Sequence, residues 1–230
     1  MENDPSIRYL VDSIPEEWSI EVPEGASLRL CLASLEKAGS TRLTVNVHKD
    51  AAFEGVFADL SSGDSSCLVD IHLLEEGANC SWHLSAVSKE KGKKTHIVSA
   101  YHHVPHTKAL VSNYGIALDS SRLSFSGTSE IVKGAKGSET VQKAKIIVFD
   151  AKADGKASPI LKIAENDVIA NHAAVVGRLN DQHLYYLESR GISHEEAKRL
   201  IALGYLSPIL PFFEDESLRE KIEKTIGEGL

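Results

Sequence analysis

Residues 69–87 read VDIHLLEEGANCSWHLSAV, and this stretch contains the pattern that decides the fold. Apolar and polar side chains alternate through residues 69–73 and again through residues 82–86, with the turn-forming run EGAN at residues 76–79 between them. A period of two places every second side chain on the same face, which is typical of a half-buried β-strand. The stretch therefore predicts two short strands joined by a turn.

The same alternation continues on both sides of this stretch, from Leu28 to about Val176. Short alternating segments follow one another with turn-type clusters between them and with no helical pattern. Sandwich, barrel and β-solenoid architectures all fit such an all-β block, and no strict repeat of fixed period decides for a solenoid. The alternating apolar positions outside the quoted stretch include Leu28, Leu30, Leu32, Leu43, Val45, Val47, Leu123, Phe125, Ile146 and Val148.

The pattern changes near Asn180, where apolar residues begin to recur every three or four positions. Asn180 or Asp181 can cap a first helix, and Gly191 is placed to end it. Ser193 and Glu196 have the spacing of a capping box, which predicts a second helix.

Gly204 is expected to end the second helix. A third helix is predicted to begin after Pro211, at Asp215 or Ser217. Its apolar face would consist of Leu218, Ile222 and Ile226.

These patterns divide the chain into two parts. The β core is assigned to residues 1–178, with residues 1–20 as an irregular lead-in, and a C-terminal helical domain is assigned to residues 179–230. The helical part is too small to bury a core alone, so we expect it to dock on the β core or on a partner.

Composition and charge exclude several classes of protein. Of the 230 residues, 42% are hydrophobic and 25% charged, and the apolar runs, such as Ile146–Phe149, are far shorter than the roughly 20 residues that cross a bilayer. The N-terminus also lacks the pattern of a secretory signal, so we expect a cytoplasmic protein without a membrane partner. The net charge is −8 and the Lys89–Lys94 run is short, which argues against nucleic-acid binding; we interpret that run as a lysine-rich hairpin tip.

Motifs for common chemistries are scarce. Nucleotide-binding, hydride-transfer, acyl-transfer and zincin motifs are absent from the sequence. His102 and His106 would lie about 13 Å apart on one strand face, too far for one metal ion, so the run between them is predicted to be a partly exposed polar segment at a strand edge. The three cysteines form no CxxC pair and are interpreted as buried small apolar residues; they are Cys31, Cys67 and Cys80.

Two neighbouring segments carry a specific resemblance. Residues 159–177 read PILKIAENDVIANHAAVVG, and residues 184–192 read LYYLESRGI, followed by Glu196-Ala197. Upstream, His102-x-x-Pro105-x-Thr107 and Phe125-x-Gly127 belong to the same pattern. From about His102 to Leu210 the chain resembles the SufB/SufD family of the SUF iron–sulfur cluster assembly system, and the SufD-like branch more closely.

The resemblance implies a right-handed parallel β-helix with a small C-terminal α-helical domain. It implies a non-catalytic scaffold subunit that pairs, through the end of the β-helix near Val168–Val176, with a SufB/SufD-like subunit or with a second copy. It further implies that the helical domain docks on a SufC-like ABC ATPase. The apolar run expected to dock consists of Tyr205, Leu206, Ile209, Leu210, Phe212 and Phe213, and the alternative is that this run simply packs on the β-helix.

His172 is the one functional residue that the resemblance carries over. Ala173 stands where SufB-like relatives have a glutamate, and Ala170 stands where SufD-like relatives often have a cysteine. His172 is therefore the candidate iron ligand and cluster-assembly residue. No stably bound cofactor is expected, and a transient iron–sulfur cluster at a subunit interface would draw its thiolates from the partner.

Two other functions stay open. A carbohydrate-active β-helix protein would need a cleft lined with clustered carboxylates. The local acidic pairs are Glu54 with Asp59 and Asp64 with Asp70, and both are assigned to turns or solvated faces. The third possibility is an interaction module without a cluster function.

Overall fold

The computed structural model describes residues 6–228, which form a parallel β-solenoid followed by a small helical region. Thirteen strands lie in this part of the chain and are numbered in order. They are β1 (Ser6–Val11), β2 (Glu17–Val22), β3 (Ser27–Ser34), β4 (Ser40–Val47), β5 (Ala52–Asp59), β6 (Ser65–Leu73), β7 (Asn79–Ser88), β8 (Lys93–His102), β9 (Lys108–Ala117), β10 (Arg122–Ile131), β11 (Glu139–Val148), β12 (Asp154–Ile163) and β13 (Ile169–Arg178).

The strands form two parallel sheets, and each coil of the solenoid contributes one strand to each sheet. Odd-numbered strands make one sheet, in the order β1-β3-β5-β7-β9-β11-β13, and even-numbered strands make the other, in the order β2-β4-β6-β8-β10-β12. Every strand pairs in parallel with the strand two positions away in the chain, so one odd and one even strand complete a coil. This arrangement of about six turns confirms the predicted parallel β-helix with a small helical region.

The length of a coil varies along the solenoid. Leu28 is level with Phe53, 25 residues later, whereas Lys108 is level with Glu139, 31 residues later. Longer strands account for most of this difference, because β3 and β4 have eight residues each whereas β9 and β10 have ten, and the turns supply the rest. The variation explains why the sequence shows no repeat of fixed period.

Alternate side chains of both sheets fill the interior of the solenoid. The largest of them, including Trp82, Phe53 and Phe125, are almost completely buried. Two glycines make room for this packing. A Cβ on Gly55 would lie 2.2 Å from the Trp82 ring, and a Cβ on Gly127, whose φ is +150°, would lie 1.8 Å from the carbonyl oxygen of Val98. The glycine of the Phe125-x-Gly127 motif is thus required by the backbone and by the neighbouring coil.

The helical region contains α1 (Asp181–Ser189), α2 (His194–Leu206), a 3₁₀ segment (Ser207–Phe212) and α3 (Glu216–Glu228). The predicted caps are confirmed. The Asn180 side chain accepts a hydrogen bond from the Gln182 N–H at 2.9 Å, and the Ser193 hydroxyl accepts one from the Glu196 N–H at 3.3 Å. The Asp215 carboxylate accepts one from the Leu218 N–H at 2.9 Å, so the third helix begins next to Asp215.

The predicted end of the second helix at Gly204 is wrong. Helix α2 continues to Leu206 and passes directly into the 3₁₀ segment. Leu206 is completely buried, so tertiary packing favours the extra helical residues. The α-helical pattern ends where Pro208 lacks the N–H that would bond to the Gly204 carbonyl.

The helical region covers the outer face of the odd sheet. Side chains of β3, β5, β7 and β9 form a second apolar cluster with α2, the 3₁₀ segment and α3. The Ser85 hydroxyl donates to the Leu206 carbonyl at 3.1 Å within this interface. The helices therefore dock on the β core. Members of the cluster are Cys31, Ala33, Leu35, Val56, Ala58, Leu60, Val87, Ile116, Leu118, Ala202, Leu206, Ile209, Phe213, Ile222 and Ile226.

Two further predictions are wrong. Residues 1–20 are not an irregular lead-in, because β1 pairs with β3 and β2 with β4; residues 1–5 lie outside the described part of the chain. Residues 17–22 read EWSIEV, and this alternation is itself typical of a strand. The Lys89–Lys94 run is not a hairpin tip either, because β7 and β8 belong to different sheets.

The three cysteines are buried and free, as expected. Burial raises the pKa of both Cys31 and Cys80 to about 12, so these thiols stay protonated at neutral pH. Among the helices of residues 6–228, none has the length and apolar character needed to span a membrane.

Candidate functional site

The last coil of the solenoid leaves one end of the described structure uncovered. Strand β13 pairs only with β11, and β12 pairs only with β10, so both strands have a free edge at the same end. Free strand edges carry unpaired N–H and C=O groups. Large apolar side chains around them are also exposed, and we call this surface the open end: Ile160 is 49% exposed, Ile163 38%, Ile169 55%, Val175 52% and Val176 44%.

His172 lies on β13 at the open end. It is level with Gln142 of β11, whose side chain faces the interior, and Gln142 is level with Val111 and then Trp82. The side chain of His172 therefore continues an inward-facing column. It is nevertheless exposed, because no further coil lies above it in residues 6–228. Its imidazole has no hydrogen-bond partner among these residues and is available to an incoming group.

The neighbours of His172 offer few further ligands. Ala170 lies on the same face of β13 two residues earlier, and Ala173 lies on the opposite face. Within residues 6–228, no group of three or more histidine, cysteine, aspartate or glutamate side chains is placed to hold a metal ion. Among the described residues of this segment of β13, His172 is thus the ligand-type side chain at the open end.

The interior below His172 is polar, which the sequence analysis missed. Both amide atoms of Gln142 and the hydroxyl of Thr140 are buried without a hydrogen-bond partner in the protein. Gln142 and Asn113 line a small cavity of about 10 Å³. Buried polar groups of this kind are usually satisfied by water. The sequence of β11 indicates this polar interior, because Thr140 and Gln142 occupy inward-facing positions of its alternating pattern.

The apolar run assigned to partner docking is only partly accessible. Leu206, Ile209 and Phe213 are buried in the cluster that joins the helices to the odd sheet, so the docking prediction is wrong for these three. Tyr205, Leu210 and Phe212 are half-buried, with the Phe212 ring stacked on His83 at 4.2 Å and Tyr205 edge-on to Tyr114 at 5.4 Å. The large apolar side chains exposed on the helices are instead Tyr185 at 72%, Tyr186 at 55% and Leu200 at 41%.

A buried ionic cluster lies inside the solenoid, and the sequence analysis missed it. Asp59 of β5 bonds to the Lys94 ammonium of β8 at 2.5 Å and lies 3.3 Å from the His96 ring. Asp59 is completely buried, so its assignment to a turn or solvated face is wrong. Burial alone would raise the pKa of Asp59, but Lys94 and His96 outweigh it and hold that pKa below its usual range. The opposite charges of Asp59 and Lys94 balance each other, so the cluster has a structural role in the core.

The acidic pairs do not form a carboxylate cleft. Glu54 and Asp59 point to opposite faces of β5, and Glu54 pairs with Arg29 on the outer face. The Asp64 carboxylate accepts a hydrogen bond from the Lys93 N–H at 2.8 Å. Asp70 accepts one from the Tyr101 hydroxyl at 3.3 Å. Each of the four carboxylates thus has a local partner.

The segment His102–His106 differs from its prediction at one end. His102 is completely buried at the end of the central strand β8, and its ring bonds to the Thr107 hydroxyl at 2.7 Å. Burial lowers the pKa of His102 to about 4, so it is neutral at physiological pH. His106 is exposed in the following turn. The expectation of a partly exposed segment at a strand edge is therefore wrong for His102.

A protein family and several known relatives match this chain. Residues 17–205 match the family described as the SufBD core domain of the SUF system for FeS cluster assembly. The iron-sulfur cluster assembly protein SufD of Bacillus subtilis is 30% identical over 178 residues, which are 77% of this chain and 41% of SufD. A SufBD family protein of Staphylococcus epidermidis is 26% identical over 163 residues, 70% of this chain and 35% of the relative. One of Mycobacterium bovis is 31% identical over 108 residues, 47% of this chain and 13% of the relative. The matched residues thus span about two fifths or less of the length of these relatives.

The ionic cluster predicts a large effect of a single substitution. Lys94→Met leaves the Asp59 carboxylate buried without its ammonium partner, and we expect the free energy of unfolding to fall by about 3–5 kcal/mol. Urea denaturation followed by tryptophan fluorescence measures this difference. The control is Lys93→Met, because Lys93 is the exposed neighbour and its loss should change little.

The same cluster predicts a pH dependence. The pKa of Asp59 is lowered on folding, so its contribution to stability is present above the unfolded pKa of 3.8 and is lost as the pH falls below it. The stability difference between wild type and Asp59→Asn should therefore shrink below about pH 4. A difference that stays constant down to about pH 2 would contradict the ionised state of Asp59.

Proposed function

The chain belongs to the SufBD family of the SUF iron–sulfur cluster assembly system, and we propose that it is a non-catalytic scaffold subunit of a cluster assembly complex. Family membership supports a role in iron–sulfur cluster assembly. The observation that carries the finer proposal is the open end, where free strand edges, exposed apolar side chains and His172 lie together. Such a surface is suited to assembly with another protein.

The open end is proposed to pair with a SufB/SufD-like subunit or with a second copy of this chain. Free edges of β12 and β13 favour extension by another strand, and exposed apolar side chains favour burial. A partner over this end would also cover the mouth of the interior. Pairing would therefore enclose His172 at the interface.

His172 is proposed to act as an iron ligand during cluster formation. Neutral imidazole binds iron, and the ring at the open end is free to approach a partner. Because Ala170 and Ala173 provide neither thiolate nor carboxylate, the remaining ligands would come from the partner subunit. Any cluster would then be transient and shared between the two chains.

The helical region is proposed to dock a SufC-like ABC ATPase. Leu206, Ile209 and Phe213 of the predicted docking run are packed against the odd sheet. The proposed contact surface for the ATPase therefore consists of the exposed apolar residues of α1 and α2. Tyr185, Tyr186 and Leu200 are the large ones. Deletion of the helical region would not test this contact cleanly, because it would also expose the apolar outer face of the odd sheet to solvent.

A non-catalytic role fits the local chemistry better than the carbohydrate-active alternative. Glu54 and Asp59 lie on opposite faces of one strand, and Asp59 is neutralised by Lys94. Glycoside hydrolysis requires two carboxyl groups that flank one bond. These two cannot do so.

Val176→Asp tests pairing at the open end. Val176 is level with the buried Ile146, so it faces inward at the mouth of the last coil, yet it is 44% exposed. A charge there should weaken association at least about tenfold, because an unpaired charge in an interface costs several kcal/mol. Sedimentation velocity, alone and with the SufB/SufD-like subunit of the same cell, measures the effect. Leu200→Asp on α2 is the control and should leave pairing unchanged. A wild-type chain that stays monomeric in both experiments would rule out the pairing.

His172→Ala tests the role of the imidazole in cluster formation. We expect the iron and sulfide content of the reconstituted complex to fall to about half or less, with little loss of stability, because His172 is exposed and fills no core volume. His183→Ala changes an exposed histidine of α1 and serves as the control. Equal iron and sulfide content in the wild-type and His172→Ala complexes would sink the assignment.

Tyr185→Ala tests the ATPase contact. Tyrosines at interface centres often contribute more than about 1 kcal/mol, so we expect the affinity for the SufC-like ATPase to fall about fivefold or more. Calorimetric titration of the purified proteins measures it. Ile160→Ala at the open end is the control and should bind the ATPase normally. Unchanged affinity for Tyr185→Ala would move the contact elsewhere.

A further inference from the structure

Two histidines face each other on the outer surface of the even sheet. His72 lies near the end of β6, and His103 directly follows β8. Residue 73 is level with residue 102 in the pairing of these strands, which brings together two side chains that are 31 residues apart in the chain. The Nδ1 atom of His72 lies 3.1 Å from the Nε2 atom of His103.

The surroundings hold this pair in place and leave it accessible. The His72 ring stacks on Tyr101, with 4.8 Å between ring centroids and 14° between planes. The Tyr101 hydroxyl donates in turn to the Asp70 carboxylate at 3.3 Å. His72 is half-buried, whereas His103 is exposed to solvent.

The facing nitrogens of the pair suit a metal ion. A neutral imidazole ring has one nitrogen with a free lone pair and one that carries the proton. When a metal ion takes the place of the hydrogen bond, the donor ring carries its proton on its other nitrogen, and both facing lone pairs are then free for coordination.

We propose that His72 and His103 form a binding site for one divalent late first-row transition-metal ion of the zinc class. Two imidazole nitrogens bound to one tetrahedral zinc at about 2.0–2.1 Å lie roughly 3.3 Å apart. The observed 3.1 Å needs only a small rotation of either side chain to match. Imidazole is a preferred ligand of zinc, nickel and copper.

Water completes the coordination, because residues 6–228 place no third histidine, cysteine or carboxylate in the site. The Asp70 carboxylate lies on the same outer face of β6 as His72, two residues earlier, and can accept hydrogen bonds from the bound water. Two protein ligands give an exchangeable site. The ion would be taken up and released, in contrast to the closed four-ligand sites that stabilise a fold.

The site is separate from the open end. In the even sheet His72 on β6 lies three strand spacings, or about 14 Å, from β12, and His103 after β8 lies two spacings, or about 10 Å, from it. The inference therefore stands or falls independently of the proposed cluster role of His172.

Zinc titration tests the site. Calorimetry of the full chain with ZnCl₂ should show one equivalent bound with the highest affinity, and long-range ¹H–¹⁵N spectra of the histidines should show shifts at His72 Nδ1 and His103 Nε2. His72→Gln and His103→Gln should each weaken this binding at least tenfold. The control His106→Gln alters the exposed histidine of the next turn and should leave it unchanged, as should His172→Ala.

Thermal unfolding of the variants separates binding from folding, since both histidines are at the surface and their replacement should leave the midpoint nearly unchanged. Tight zinc binding that persists in the His72→Gln/His103→Gln double variant would overturn the proposal. So would a wild-type titration in which neither histidine shifts at a several-fold excess of zinc.

Discussion

Parallel backbone hydrogen bonding between successive coils is the constraint on which the rest of this structure depends. Each inner strand gives its N–H and C=O groups to the strands before and after it, so neither edge is left free. The last coil cannot satisfy this rule on its outer side. The open end is therefore a direct result of the way the solenoid is built, and the same rule explains why it is suited to pairing with another strand.

The coil geometry also separates three environments. Inward positions hold the apolar core, together with the Asp59–Lys94 pair and the polar groups beneath His172. The outer face of the odd sheet is covered by the helices. The outer face of the even sheet carries the rings of His72, Tyr101 and His103 side by side. Each environment extends over several coils, because residues that are level with each other in neighbouring coils point to the same side of the sheet.

Local patterns predicted the elements, while contacts between coils could not be predicted from them. Alternation identified the longer strands, and side-chain caps such as Asn180 and Ser193 identified the helix starts. The pairs Asp59–Lys94 and His72–His103 depend on the length of each coil. That length depends on both the strands and the irregular turns, and both vary along the solenoid, so no fixed spacing along the chain brings these residues together. His172 was found through its family resemblance, and its exposed inward position became clear only with the register of β13.

That register has a consequence for how the chain tolerates change. Side chains of a strand alternate between faces, so deleting one residue within β13 ahead of His172 would turn the imidazole to the outer face and bring a neighbour into the interior column. An insertion in residues 164–168, between β12 and β13, would be absorbed by the connection and leave the direction of the ring unaltered. The direction of the His172 side chain thus depends on whether an even or an odd number of residues separates it from the other inward positions of β13. Insertions and deletions among natural relatives are therefore expected in the connection and not within the strand.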